Sequence, residues 1–323
     1  MLRHAEVAVM KQDSQIEYPT TFEEFLNRFQ TEEDCAKYIH ALRWPDGFSC
    51  PKCGGRKTWP TQRQEVRCAA CNHQTSVTAG TVFEDTRKPL RLWFHVMWLM
   101  MAQKTGVSAK NLYDSHGFGS YQTVWGWLQK LRSVMVRPGR ELLHGTVEVD
   151  ETYVGGPKAG IRGRGAEGKV LVAVAVECTD GVLGRVRFRC VADASADSLV
   201  PFVCENIAAK SEVVTDGWGA YSALSKHGFN HEPRKDDSGV KGEDKLLPHV
   251  HLVISLLKRW LLGTHQGAVT AEHLQGYLDE FSFRFNRRLS THRGKLFYRL
   301  AQQAVSMRPP SIKKFYVQSN HNP

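Results

Sequence analysis

Two Cys-x-x-Cys pairs, Cys50-Pro-Lys-Cys53 and Cys68-Ala-Ala-Cys71, stand 14 residues apart. Each pair folds as a tight turn that aims two sulfurs at one point, and two such turns suit a tetrahedral four-thiolate zinc site. A redox dithiol needs only one pair. The other four cysteines, Cys35, Cys178, Cys190 and Cys204, are isolated and read as ordinary buried thiols of a reducing compartment rather than a disulfide framework. Gly54-Gly55 follow the first pair and Asn72-His73 the second, where residues tolerant of positive φ are needed. Lys57-Thr58-Trp59 and Glu65-Val66-Arg67 read as short strands. Residues 46–88 are therefore expected to form a zinc ribbon around one Zn²⁺. That ion is structural, because four thiolates leave no open position for chemistry.

The ribbon is a small part of a chain of 323 residues with 41% hydrophobic and 24% charged residues, enough to bury further cores. Residues 1–45 read as a helical segment. Thr21 caps a helix with Glu24 at its third position, and Thr31 opens another with Glu32, Glu33 and Asp34 at its positive end. Residues 89–140 hold an apolar helix from Pro89 to Lys104, a short helix capped by Ser108, a turn at Gly117-Phe118-Gly119 and a helix opened by Ser120. That outline is helix-turn-helix-like and points to DNA; the alternative is a plain hairpin packing Trp125, Leu128 and Leu131. No stretch approaches the roughly 20 apolar residues of a membrane span, and Met1 to Tyr18 lacks a signal-peptide core. A cytoplasmic protein is the expectation.

The net charge is +10, and its distribution is uneven. From Phe281 to Pro323 there are nine Lys/Arg (Arg284, Arg287, Arg288, Arg293, Lys295, Arg299, Arg308, Lys313 and Lys314) and no acid. A basic tail over 291–323 that meets the DNA backbone is the expectation.

After Gly145 the pattern turns to strands: Thr146 to Val154, Lys169 to Glu177, Gly184 to Val191, then a helix from Ser195 to Ala209 and a strand Glu212 to Thr215. This order is that of a ribonuclease H-like α/β fold, a mixed sheet flanked by helices, over 145–290. Asp150 on the first strand and Asp216 at the end of the fourth both sit beside apolar neighbours, where an unpaired acid is costly. Adjacent strands that bring both carboxylates to divalent cations explain this, and two such ions serve phosphodiester attack. The alternative is that one acid caps an element end.

The segments CPKCGG, RCAACNHQTSVTAGTVFEDT, VEVDETYVGG, VVTDGWGAY, SLLKRWLLGTH and HLQGYLDEFSFRFNRR together resemble a bacterial insertion-sequence transposase of the zinc-ribbon DDE type, from about Phe22 to Ala304. The resemblance implies an Mg²⁺- or Mn²⁺-dependent enzyme with two ions per site. It would bind transposon terminal repeats, cut there and join 3′ ends to target DNA, as a homo-oligomer at the nucleoid. By position, Asp150 and Asp216 are the first two acids. Seven residues before Lys258, where the family places its third metal-capable residue, stands His251, so the site becomes Asp150, Asp216 and His251 with Lys258 on a DNA phosphate. His251, Ser255, Lys258 and Leu262 share one helical stripe. A nearby acid (Asp236, Asp237, Glu243 or Asp244) is the other candidate for the third position. A decayed enzyme or a non-enzymatic DNA-binding regulator is the alternative function. Lys158, Arg162, Arg164 and Lys169 are candidates for tracking a phosphate backbone. Trp218 and Tyr221 would stack on an unpaired base or, more simply, pack in the core.

Overall fold

The computed structural model describes residues 17–60, 65–155, 169–179, 181–234, 246–266 and 269–310. Two compact units result, one of Met1–Val134 with Ser290–Ser311 and one built on Met135–Leu289.

In the first unit, helices α1 (Phe22–Arg28) and α2 (Glu32–Arg43) start where their caps require. Thr21 Oγ1 accepts from the Glu24 amide, and Thr31 forms a full capping box with Asp34. The ribbon strands β1 (Thr58–Pro60), β2 (Glu65–Cys68) and β3 (Gln74–Ser76) make an antiparallel sheet in that order. Helix α3 (Leu90–Ala102) is apolar on most sides because it is buried on most sides, with Trp93, Phe94, Val96, Met97 and Met100 all in the core. Helices α4 (Ala109–Ser115) and α5 (Tyr121–Arg132) are capped by Ser108 and Ser120, and Gly117 takes φ +62° in the turn between them. Helix α5 buries Val124, Trp127, Leu128 and Leu131, with Trp127 stacked on Trp93 at 3.6 Å between ring centroids. Trp125 is only half-buried, and Tyr121 and Gln122 face outward.

The basic tail is corrected here. Residues Arg293–Ser306 form helix α9, which packs on α2 and α3 in the first unit. It buries Leu296, Phe297, Leu300, Ala301 and Ala304, and Phe297 lies edge-on to Phe25 and Phe94. Apolar residues at helical spacing between the charges drive this packing. Some of the C-terminal charges are engaged as well, while Arg293 and Lys295 stay exposed. Arg308 pairs with Glu84 at 3.0 Å, and Arg284 with the buried Glu280 at 3.7 Å. Arg288 donates to the Gly184 and Leu183 carbonyls. Lys313 and Lys314 lie outside the described residues.

The second unit is a five-stranded sheet of β4 (Thr146–Val154), β5 (Val170–Thr179), β6 (Val182–Val191), β7 (Glu212–Thr215) and β8 (Asn230–Pro233). The order is β6-β5-β4-β7-β8, with β5 antiparallel to both its neighbours and β7 parallel to both of its own. Helix α6 (Ala196–Asn206) covers one face, burying Leu199, Phe202 and Val203 against Val147, Val149, Ala173 and Ala175. Helices α7 (Pro248–His265) and α8 (Ala271–Phe285) share the core of Val172, Val174 and Val176, contributing Val250, Val253, Leu257, Leu278 and Phe281. Strand β5 reads as a continuous apolar run because both its faces are covered. Helix α8 also closes the free edge of β6: Gln275 accepts from the Cys190 amide and Asn286 bonds both polar groups of Val186.

Candidate active site and metal centre

The ribbon repeats one turn twice. Gly54 N donates to Cys50 O at 2.9 Å and Asn72 N to Cys68 O at 3.0 Å, while Cys50 N bonds Gly55 O and Cys68 N bonds His73 O. Gly54 and Asn72 carry the positive φ that this turn needs, +73° and +57°. The four sulfurs all lie within 4.8 Å of one another, with Cys50–Cys71 at 3.7 Å and Cys53–Cys68 at 3.6 Å. A tetrahedral Zn–S bond of ~2.3 Å implies sulfurs ~3.8 Å apart, so the cluster has the dimensions of a four-thiolate zinc centre. Gly55 makes room for it: a Cβ there would stand 3.2 Å from Cys68 Sγ and 3.3 Å from Cys53 Sγ. His73 is outside the cluster. Of the isolated cysteines, Cys35 and Cys178 are buried and burial pushes both thiols up to about 12, whereas Cys204 is exposed, against expectation.

In the second unit, β4 and β7 run parallel in a register of Val147 to Val213 and Glu148 to Val214. Two residues beyond the last pair on each strand stand Asp150, midway along β4, and Asp216, just past the end of β7, so the two acids sit side by side at the same height. Each carboxylate is anchored through one oxygen. Asp150 Oδ1 accepts from the Glu151 amide at 2.8 Å, and Asp216 Oδ1 from the Trp218 amide at 2.9 Å. Asp150 is half-buried and Asp216 exposed, so Asp216 does not share the buried setting that its apolar neighbours suggest.

Helix α7 brings His251 to Asp150, Nε2 to Oδ2 at 3.2 Å. Two turns along the same stripe, partial burial lowers the Lys258 pKa while Asp150 acts to raise it and Lys169 to lower it. His251 and Asp150 are thus in contact, Lys258 lies on the same helix, and Asp216 lies next to the adjoining strand. Asp236, Asp237, Glu243 and Asp244, and the loop cations Lys158, Arg162 and Arg164, fall outside the described residues. Tyr221 is fully buried, as the core-packing reading has it, while Trp218 is 38% exposed.

Sequence reasoning missed what holds α7 in place. Glu148, two residues before Asp150 on the same face of β4, is buried and reaches the helix N-terminus. Its Oε2 accepts from the His249 and Val250 amides at 2.9 and 2.8 Å, and its Oε1 lies 2.7 Å from His249 Nδ1. Helix α7 has Leu247 at its N-cap and no side-chain cap of its own, so a strand carboxylate supplies the cap. Glu148, Cys178 and His249 also lie within 4.8 Å of one another. With both Glu148 oxygens engaged by N–H groups, that cluster is a helix cap first. On the opposite face, Glu151 Oε2 accepts from Tyr221 at 3.0 Å; burial, then Glu151, Asp150 and Asp216, push that phenol well above its usual range.

Among the described residues no helix is long and apolar enough to cross a membrane. Residues 30–74 match the transposase zinc-ribbon domain and residues 142–286 the ISXO2-like transposase domain. An uncharacterized protein in transposable element ISH50 of Halobacterium salinarum is 29% identical over 288 residues, spanning 80% of this chain and 92% of its own length. The four cysteines and the paired acids each fall inside one of the two matched domains, and over both the chain is similar to insertion-sequence transposases with a zinc ribbon and a DDE domain.

Proposed function

We propose that the chain cuts DNA at insertion-sequence ends and joins the 3′ ends to a target, using Asp150, Asp216 and His251 to hold two Mg²⁺ or Mn²⁺ ions. The observation that carries this reading is the 3.2 Å approach of His251 Nε2 to Asp150 Oδ2 beside the strand that ends in Asp216. Bound ions would activate the attacking water or 3′-hydroxyl and stabilise the leaving oxygen. His251 supplies an imidazole nitrogen where the family places another metal-capable residue; it is softer than a carboxylate and carries no negative charge. Lys258, on the same stripe, sets its ammonium toward a DNA phosphate. The sheet order, with β5 antiparallel to both neighbours and helices on both faces, supports a ribonuclease H-like fold for this unit.

The four-cysteine centre holds one structural Zn²⁺. Recognition of the terminal repeats belongs to the ribbon and the α4–α5 pair, which acts as a helix-turn-helix. Trp59 supports the ribbon's part, being 60% exposed and paired across the sheet with the exposed Arg67. The outward Tyr121 and Gln122 at the start of α5 support the helical part. Two transposon ends call for more than one copy of the chain, so the working form is a homo-oligomer, acting on DNA in the cytoplasm at the nucleoid. A DNA-binding regulator would have no use for an imidazole aimed at an aspartate on a central strand.

The test is strand cleavage and transfer on labelled element-end DNA with Mg²⁺ or Mn²⁺. Asp150→Ala and Asp216→Ala should abolish both steps and His251→Ala nearly so, with DNA binding retained in all three. His251→Glu should keep activity and shift the preferred ion from Mn²⁺ toward Mg²⁺, since it restores a harder, anionic ligand. Wild-type rates in His251→Ala would remove His251 from the site.

A further inference from the structure

Beside Asp216 lies a cavity that the chemistry above leaves unused. It has a volume of about 470 Å³ and is lined by Tyr153, Lys169, Leu171, Asp193, Ser195 and Trp218. That size is within the ordinary range for a small-ligand site. It adjoins Asp216, whose Oδ1 the Trp218 amide holds at 2.9 Å, and Tyr153, three residues beyond Asp150 on β4, lines it from the strand face opposite Asp150. The indole is fixed by its own N–H, which donates to Ala194 O at 2.9 Å, yet the residue stays 38% exposed. An aromatic ring pinned in place and left in contact with solvent is a platform rather than core.

The lining selects the occupant. Two aromatic rings and Leu171 make walls suited to a flat, largely apolar ring. Asp193 carries the only carboxylate among the described residues of the lining, and its Oδ1 is bonded by Ser195 Oγ, Ser198 Oγ and Ser195 N, which hold its pKa below the usual carboxylate range. That negative charge disfavours a phosphate inside. Lys169 is the one cation among the described residues of the lining. A neutral heteroaromatic ring within, and its phosphate on Lys169, satisfies every group. We propose that this cavity takes one unpaired nucleobase of the DNA strand being processed, stacked on Trp218, with Lys169 on the attached phosphate. A nucleotide at a cut or frayed end is already unpaired, so little stacking has to be broken to deliver it.

This rests on the strand-processing reading, and the experiment separates the two. Binding of the full chain to a labelled duplex ending in one unpaired thymine is compared, by fluorescence anisotropy in Ca²⁺, with binding to the same duplex ending in an abasic site. Wild-type protein should prefer the thymine end by about tenfold, the size expected for one base on an aromatic platform. Trp218→Ala and Trp218→Leu should bring the ratio to about one with an unchanged melting temperature, Trp218→Phe should keep most of it, and Lys169→Ala should weaken both DNAs alike. No preference in the wild type, or a full preference in folded Trp218→Leu, overturns the proposal. An intact thymine preference in a protein that cuts no DNA would count against the strand-cleavage reading and leave the cavity assignment standing.

Discussion

Replacing Glu148 by alanine tests whether the active site is held together by a strand carboxylate at the start of a helix. Glu148 is 3% exposed and accepts three hydrogen bonds, from the His249 amide, the Val250 amide and His249 Nδ1. Alanine leaves two buried helix amides without a partner, each costing about 1–3 kcal/mol, and removes the charge that favours the helix N-terminus. The sum is roughly 3–5 kcal/mol of the second unit's stability. For a unit of this size that lowers its melting temperature by about 10 °C. Glu148→Gln should cost only about 1–2 kcal/mol. Its carbonyl can still accept from the backbone amides, and its NH₂ can donate to His249 Nδ1 if the ring proton moves to Nε2, which faces Gly181 O at 3.2 Å. Calorimetry gives the melting shift, and hydrogen exchange of the His249 and Val250 amides reports the cap directly. Because α7 carries His251 to Asp150, strand cleavage should fall in Glu148→Ala while DNA binding stays. A Glu148→Ala protein that melts within a degree of wild type, with its first-turn amides still protected, would refute the account.

Zinc analysis should find one Zn²⁺ per chain, lost on Cys50→Ser or Cys68→Ser and kept on Cys35→Ser; the loss should unfold the ribbon while the second unit's melting persists. Gly294→Ala should destabilise the first unit by about 3 kcal/mol or more, since its Cβ would stand 1.5 Å from Pro19 O and backbone cannot yield cheaply, as thermal melting will show. Burial acts to raise the Glu177 pKa, but Arg185 and the His144 amide outweigh it and hold the group at about 2. The stability from that pair is therefore complete above about pH 4.3 and lost as the pH falls toward 2, so Arg185→Ala should move the acid-unfolding midpoint upward in a circular-dichroism titration.

The parts of this molecule legible in its sequence are those whose signal is local. The cysteine turns announce themselves by spacing, the helix starts by Thr21, Thr31, Ser108 and Ser120, and the strand β5 by an apolar run that only a doubly covered strand tolerates. His251 and Lys258 came from the family resemblance, with helical spacing in support. Strand β8 did not, because Asn-His-Glu-Pro has no apolar alternation and pairs only because β7 offers it an edge. Glu148 was hidden for a related reason: in VEVDET it is one more polar residue in an alternating strand. The readable sign lay a hundred residues away, in a helix that begins Leu-Pro-His with no capping side chain and must find its hydrogen-bond acceptor elsewhere. The C-terminal charges misled because they were counted without their period. Between Arg293 and Arg299 the residues Leu296, Phe297 and Tyr298 are buried, and a helix edge lined with cations still belongs to the core it covers.

Strand β4 explains how one short segment can serve several tasks without interference. Successive side chains of a strand face opposite ways. Glu148 and Asp150 therefore point toward α7, where the first fixes the helix and the second meets His251. Glu151 and Tyr153 turn the other way, the first to Tyr221 and the second to the wall of the cavity beside Trp218. The cap and the Asp150–His251 contact are each two residues apart, on the strand and on the helix alike. The Glu148–His249 bond thus fixes the height at which His251 meets Asp150. A shift of one residue in β4 would exchange the two faces and undo both sites at once. The register is held by nine paired positions with β5 and three with β7, so β4 is pinned from both sides, which is what an arrangement that tolerates no slippage needs.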